Sequence, residues 1–251
     1  NVFGANPPIA IFSPARRVRN NTIKHTLENA KEVHEVVINA VTYDMVQQVS
    51  LSSTEYPKGV NEFKKAGLTE LPSEVVKPPR VKESPFQLEC SVEAVYPLGE
   101  EGGAGNLVVC QVLRVHIDER ILNDQGQIDP QKARLVGRLG GNWYCKAFGD
   151  ALFEVEKPLR ERGIGVDNIP AEIRNSKILT GNNLGQLGNI AQLPDETSVN
   201  EYKLLELSDL FQEYENAPEK LEEQLHLLAK RLLEENKVEE AWKVLLSFNY
   251  N

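Results

Sequence analysis

Apolar residues in the first half of the chain fall in short, β-branched runs, whereas those in the last fifth recur at helical spacing. Ile9 to Phe12 is a short apolar run bounded by prolines, the length of a buried strand. Beyond the polar turn Arg16 to Asn21, the residues Ile23, Leu27 and Ala30 share one face of a predicted short helix that Asn21 or Thr22 can cap. Glu35 to Val41 is rich in β-branched residues and reads as a central strand, followed by a helix around Tyr43 to Val49. Phe86 to Val95 and Leu107 to Ile117 predict two more strands, joined through the glycine-rich stretch Gly99 to Gly105 as an antiparallel hairpin. Strands separated only by short helices argue for a barrel with helical insertions rather than a doubly wound sheet. The expected class is therefore mainly β with α (α+β), over residues 1–153.

After Phe153 the pattern changes. Residues 154–200 hold glycines, asparagines and isolated prolines, with Gly181-Asn182-Asn183-Leu184-Gly185 and little periodicity, and read as a loop-rich connector. Residues 201–251 read as a helical extension, because Leu221, Leu225, Leu228 and Leu232 repeat against glutamates and lysines and Trp242, Leu245 and Leu246 form a second apolar face. Pro218 suits a first helical turn. The expected helical hairpin would lay its leucines on the barrel, on a twin subunit or on a partner.

Charge narrows the function classes. With 28 Lys and Arg against 37 Asp and Glu, the net charge is -9, and no basic block is long enough to track a polyanion, so nucleic acid and membrane surfaces are disfavoured partners. Apolar runs stay well short of the ~20 residues that cross a bilayer. Three widely spaced cysteines, Cys90, Cys110 and Cys145, match neither a zinc site nor a redox dithiol and fit a reducing, cytoplasmic setting in which they simply pack.

No G-x-S-x-G, Walker-type or G-x-G-x-x-G motif stands in the chain, so an enzyme built on it would leave the difficult chemistry to a cofactor. Ser13 to Thr26 is the best local candidate for holding an anion, concentrating Arg16, Arg17, Arg19 and Lys24 beside Ser13, Thr22 and Thr26 at a helix start; a solvated basic loop is the plainer reading. Asn39 inside an apolar strand must find a partner, either backbone or ligand. Lys77 is held extended by Pro78 and Pro79. His116 at a strand end reads as a satisfied structural group, and Trp143 and Tyr144 as core aromatics.

Taken together, Asn6-Pro7-Pro8, Ser13-Pro14-Ala15-Arg16-Arg17, Val36-Val37-Ile38-Asn39-Ala40-Val41, Lys77-Pro78-Pro79-Arg80-Val81-Lys82-Glu83-Ser84-Pro85, Val115-His116-Ile117-Asp118 and Gly137-Arg138-Leu139-Gly140-Gly141-Asn142-Trp143-Tyr144 closely resemble the flavin reductase-like family, the FMN-binding split barrels. The resemblance covers about residues 1–153. It implies an FMN-binding split β-barrel, with an N-terminal pair of strands that this chain would lack, forming homodimers with flavin near the interface. Arg17, Lys24 and Thr26, with Ser13, Arg16 and Thr22 around them, would hold the FMN phosphate; His25 stands where many members carry aspartate. Asn39, Lys77, His116, Trp143 and Tyr144 would flank the ring. Members of the family commonly move a hydride from NADH or NADPH to flavin and pass electrons to free flavin or an acceptor protein. The resemblance also allows a non-catalytic FMN-binding electron carrier whose helical tail docks a partner, or a scaffold that has lost flavin.

Overall fold

The computed structural model describes residues 2–155, 157 and 162–248. Small parts of the expected barrel, connector and helical extension, residues 1, 156, 158–161 and 249–251, lie outside it. Two compact units emerge, Asn1–Phe153 and Glu154–Asn251.

The first unit is built on an open antiparallel sheet of five strands: β1 (Val2–Ala5), β2 (Pro8–Phe12), β3 (Glu35–Asn39), β6 (Phe86–Pro97) and β7 (Asn106–Ile117), in the order β1-β2-β7-β6-β3. Two-stranded pairs β4 (Glu70–Leu71) with β5 (Arg80–Val81) and β8 (Val136–Gly140) with β9 (Trp143–Lys146) accompany it. Helices α1 (His25–Val33), α2 (Val46–Ser52), α3 (Glu62–Ala66) and α4 (Pro130–Ala133) fill the connections. The expected hairpin is the spine of the sheet: β6 and β7 pair from Phe86↔Ile117 to Pro97↔Asn106, with bulges between Glu89 and Cys90 and between Val92 and Ala94.

Alternation along β6 gives the sheet two unlike faces. Leu88 and Cys90 join Ala10, Val108 and Cys110 under α1, whose Leu27 and Ala30 complete an apolar core. Gln87 and Glu89 point the other way and are also buried, so this second face buries polarity. Burial and mutual proximity push the Cys90 thiol up to about 12, and burial pushes Cys110 up to about 11. Cys145 is exposed.

Three expectations are corrected here. Helix α1 begins later than the pattern implied: Lys24 occupies the N-cap without a side-chain cap, while Asn21 sits at φ 53 in the preceding turn and Thr22 bonds Asn20. Strand β3 is an edge strand, not a central one, because its β-branched residues are only half-buried and pair on one side with β6. Trp143 and Tyr144 are surface residues of the β8–β9 pair, Trp143 with 76% of its area exposed, rather than core aromatics.

The second unit is helical: α5 (Ala171–Arg174), α6 (Gly181–Leu187), α7 (Glu196–Glu206), α8 (Ser208–Glu213), α9 (Pro218–Glu234) and α10 (Val238–Leu246). The stretch read as loop carries α5 and α6, the latter closed by a reciprocal Thr180–Asn183 capping box. Ile169, Ile173, Leu179 and Leu187 from that stretch join Leu221, Leu225, Leu232, Trp242 and Leu245 in one core. The leucine stripe of α9 is thus covered by its own unit and needs neither a barrel face nor a second subunit to bury it. Buried at its centre, His226 meets the hydroxyl of Ser176, which donates to Nδ1 at 2.7 Å while accepting the amides of Ile178 and Leu179. Burial lowers the His226 pKa, against a smaller opposite pull from Glu222. Unfolding returns the ring to its ordinary value of about 6.5, so the unfolded chain binds the extra proton as pH falls through that value. Helical-unit stability should drop on acidification from pH 7.5 to 5.5 and level off below the folded-state pKa. Thermal melts of wild type and His226→Gln across that window check it; equal pH slopes in the two proteins would refute it.

Candidate functional site

The anion candidate is a turn laced to a glycine turn. The Arg16 amide donates to the Ala104 carbonyl at 2.8 Å, and the Gly103 amide returns to the Arg16 carbonyl at 3.1 Å. Gly102 permits this approach, since a Cβ there would lie 2.8 Å from the Val18 carbonyl oxygen. Ser13 serves the same junction: its Oγ accepts the Asn106 amide at 3.1 Å. Arg16 braces the turn from inside through Asn21, its Nε donating to Oδ1 and its Nη2 to the backbone carbonyl, both at 2.6 Å.

Arg17 is the pivot. Its Nη1 donates to Thr22 Oγ1 at 3.1 Å and to the Ile23 carbonyl at 2.6 Å, and its Nε lies 3.2 Å from Glu55 Oε1. Two adjoining clefts open around it. One, of about 430 Å³, is lined by Arg17, Arg19, His25, Glu55, Tyr56, Pro57 and Lys58. The other, of about 530 Å³, adds Arg16, Asn21, Thr22, Ile23 and Glu28. Lys24 and Thr26 are exposed at the start of α1, which no side chain caps. A donor set of guanidinium, ammonium, hydroxyl and first-turn amides suits a phosphate monoester in chemistry, although Lys24 and Thr26 line neither cleft and Glu55 lines both. Glu55, Tyr56 and Lys58 escaped the sequence reading, because they arrive from beyond α2. Their only signal was a Glu-Tyr-Pro-Lys stretch between two helices.

The ring-flanking candidates fall into two further groups. Asn39, Gln87 and His116 lie in one row across β3, β6 and β7. Asn39 is satisfied by backbone: Oδ1 accepts the Val81 amide at 3.0 Å and Nδ2 donates to the Val37 carbonyl at 3.3 Å. His116 Nε2 donates to Glu89 Oε1 at 2.6 Å, an ionised carboxylate being able only to accept. Glu89 has no exposed area and also faces Arg80 Nε at 3.7 Å. Burial alone would raise its pKa; the amides of Glu74 and Val75 and the His116 imidazole outweigh that and hold it below the ordinary carboxylate range. Lys77 follows on the adjoining loop, its amide donating to Glu35 Oε2 at 2.7 Å. Trp143 and Tyr144 stand on the β8–β9 pair, with the Arg138 guanidinium 6.0 Å from the Tyr144 ring centre.

The first unit thus carries an arginine turn beside two clefts and, over the polar face of its sheet, a proline-stiffened lysine loop. The chain belongs to the flavin reductase-like domain family, which matches residues 1–130. An uncharacterized protein of Aquifex aeolicus is 34% identical over 155 residues, 62% of this chain and 76% of the relative. Another, from Halalkalibacterium halodurans, is 38% identical over 160 residues, 63% and 75% of the two chains. Among solved structures, nitrilotriacetate monooxygenase component B from Bacillus cereus superposes with TM-score 0.56 and 32% identity, covering 62% of this chain and 75% of that one. A split-barrel-domain protein of Shewanella frigidimarina, assigned as a flavin reductase, gives TM-score 0.53 and 27% identity, covering 62% and 74%. The described residues include no helix long and apolar enough to cross a membrane and no cluster of His, Cys, Asp and Glu suited to a metal.

Proposed function

We propose that this protein is an FMN-binding, NAD(P)H-dependent flavin reductase that passes electrons to free flavin or to an acceptor protein, acting in the cytoplasm as a homodimer with flavin near the subunit interface. The observation that carries the reading is the Arg17 turn: a cluster of cations and hydroxyls around two clefts, beside an uncapped helix start, in a chain of net charge -9. Similarity to a monooxygenase component B adds support for an acceptor protein. FMN, when bound, supplies the hydride and electron chemistry. Arg17, Thr22, Lys24 and Thr26 hold its phosphate. Lys77 places a cation near the ring, where it favours negative charge, and Trp143 and Tyr144 offer flat surfaces to stack on.

A second reading is an electron carrier whose helical unit docks a partner, favoured by Leu204 and Leu205 of α7, which expose 73% and 78% of their area. A visible spectrum of the protein with FMN, followed by anaerobic NADH or NADPH, separates the two. Bleaching of a bound flavin is the result expected of a reductase. A bound flavin that both nicotinamides leave oxidised would select the carrier, and no bound flavin would overturn both.

A further inference from the structure

The polar face of the sheet holds a buried carboxylate, Glu89, to which His116, one of the ring candidates, is tied. Glu89 accepts the Glu74 amide on both oxygens at 2.9 and 3.1 Å, the Val75 amide at 2.7 Å and the Val76 amide at 3.2 Å. The next amide, that of Lys77, goes to Glu35 on the neighbouring strand. Four consecutive amides therefore converge on two acidic side chains, and the series stops where Pro78 and Pro79 have none to give. This is the geometry of an anion nest filled by the protein's own carboxylates.

We propose that Glu89 and Glu35 are positioning residues that fix the backbone of residues 74–77, and so the point from which Lys77 leaves it, while His116 acts on Glu89 rather than on a ligand. That Lys77 is thereby aimed at the flavin ring rests on the function proposed above; the clamp does not. Several contacts close the frame. Ser73 Oγ donates to the Pro78 carbonyl at 2.5 Å, bridging the two ends of the loop. Arg80 returns to the Pro72 carbonyl at 2.9 Å through Nη2 and to Gln87 Oε1 at 3.3 Å through Nη1. Arg114 pairs with Glu74 from the outside. A loop that merely covered the sheet would be served by an apolar side chain at position 89, at lower desolvation cost. A carboxylate is needed because three amides must be turned inward and paired together.

The test uses the full chain. Amide hydrogen exchange of residues 74–77 is measured without flavin in wild type, Glu89→Gln and Glu35→Gln, the latter the milder change because it frees only the Lys77 amide. The midpoint potential of bound FMN is then compared in Glu89→Gln, Lys77→Met and the double variant. Exchange at 74–76 should quicken by roughly ten- to a hundredfold in Glu89→Gln, the expected scale for losing a charged acceptor. The potential should move in the same direction as in Lys77→Met, and the double variant should move no further. Unchanged exchange in both acidic variants would overturn the clamp. A Glu89→Gln shift of full size in the Lys77→Met background would overturn the positioning of Lys77. Freed amides with no potential change in Lys77→Met would uphold the clamp and sink only the placing of Lys77 at the ring.

Discussion

Alanine at both Arg17 and Lys24 should weaken FMN about a hundredfold or more while changing riboflavin affinity about threefold or less, since each charge-assisted hydrogen bond contributes on the order of 1.5–3 kcal/mol. The two ligands differ by the phosphate, so the ratio of their losses isolates it. Arg17 has a second job that the comparison must tolerate: Nη1 ties Thr22 and the Ile23 carbonyl, and its removal loosens the turn for either ligand. Arg17→Lys keeps the charge and loses the fork, and should fall between wild type and alanine. Glu55 limits the size of the effect, because a phosphate arriving at Arg17 displaces a carboxylate already 3.2 Å from its Nε. Titration calorimetry with both ligands checks the prediction. Equal losses for FMN and riboflavin would remove the phosphate from this turn.

Replacement of Trp242 by alanine should unfold the helical unit and leave the sheet unit standing. Trp242 is fully buried, and its indole donates to the Leu187 carbonyl at 3.1 Å. Truncation costs about 3–5 kcal/mol for the lost side chain, with about 1–3 kcal/mol more for a carbonyl left without its donor. That sum consumes most of the 5–15 kcal/mol roughly typical of a domain. The sheet unit is shielded because its core, from Ala10 to Cys110, is a separate cluster. Circular dichroism should lose helix, and proteolysis should leave a fragment of the first unit that still binds FMN. Fluorescence should then report only exposed Trp143. A fully helical Trp242→Ala protein would contradict the packing argument, and loss of FMN binding would show that the two units depend on each other.

What could be read in advance followed how local each cause is. The β6–β7 hairpin was legible because alternation and a glycine turn lie within one stretch, and α9 because its leucines repeat every turn or so. Helices α5 and α6 were not, since elements of four and seven residues, the second rich in glycine and asparagine, are too short to show a period; they fold because Ile173 and Leu187 find α9 and α10. The start of α1 was misjudged because Asn21, a good cap by type, takes a left-handed turn and serves Arg16 instead. At the site, the Arg17 turn was visible as a composition of cations and hydroxyls. Glu55, Glu35 and Glu89 were not, because their partners lie far along the chain. One sign of Glu89 was present: a charge directly between the apolar Leu88 and Cys90, which burial makes costly unless something pairs it.

The small side chains beneath α1 carry a chemical consequence. Flavin proteins work near oxidants, and thiols are attacked as thiolates. Cys90 and Cys110, buried with pKa values of about 12 and about 11, present almost no thiolate at neutral pH. Oxidation is therefore expected to fall on Cys145 before the buried pair, since it stands on the surface of the β8–β9 pair, where an added oxygen would meet solvent instead of a packed interior.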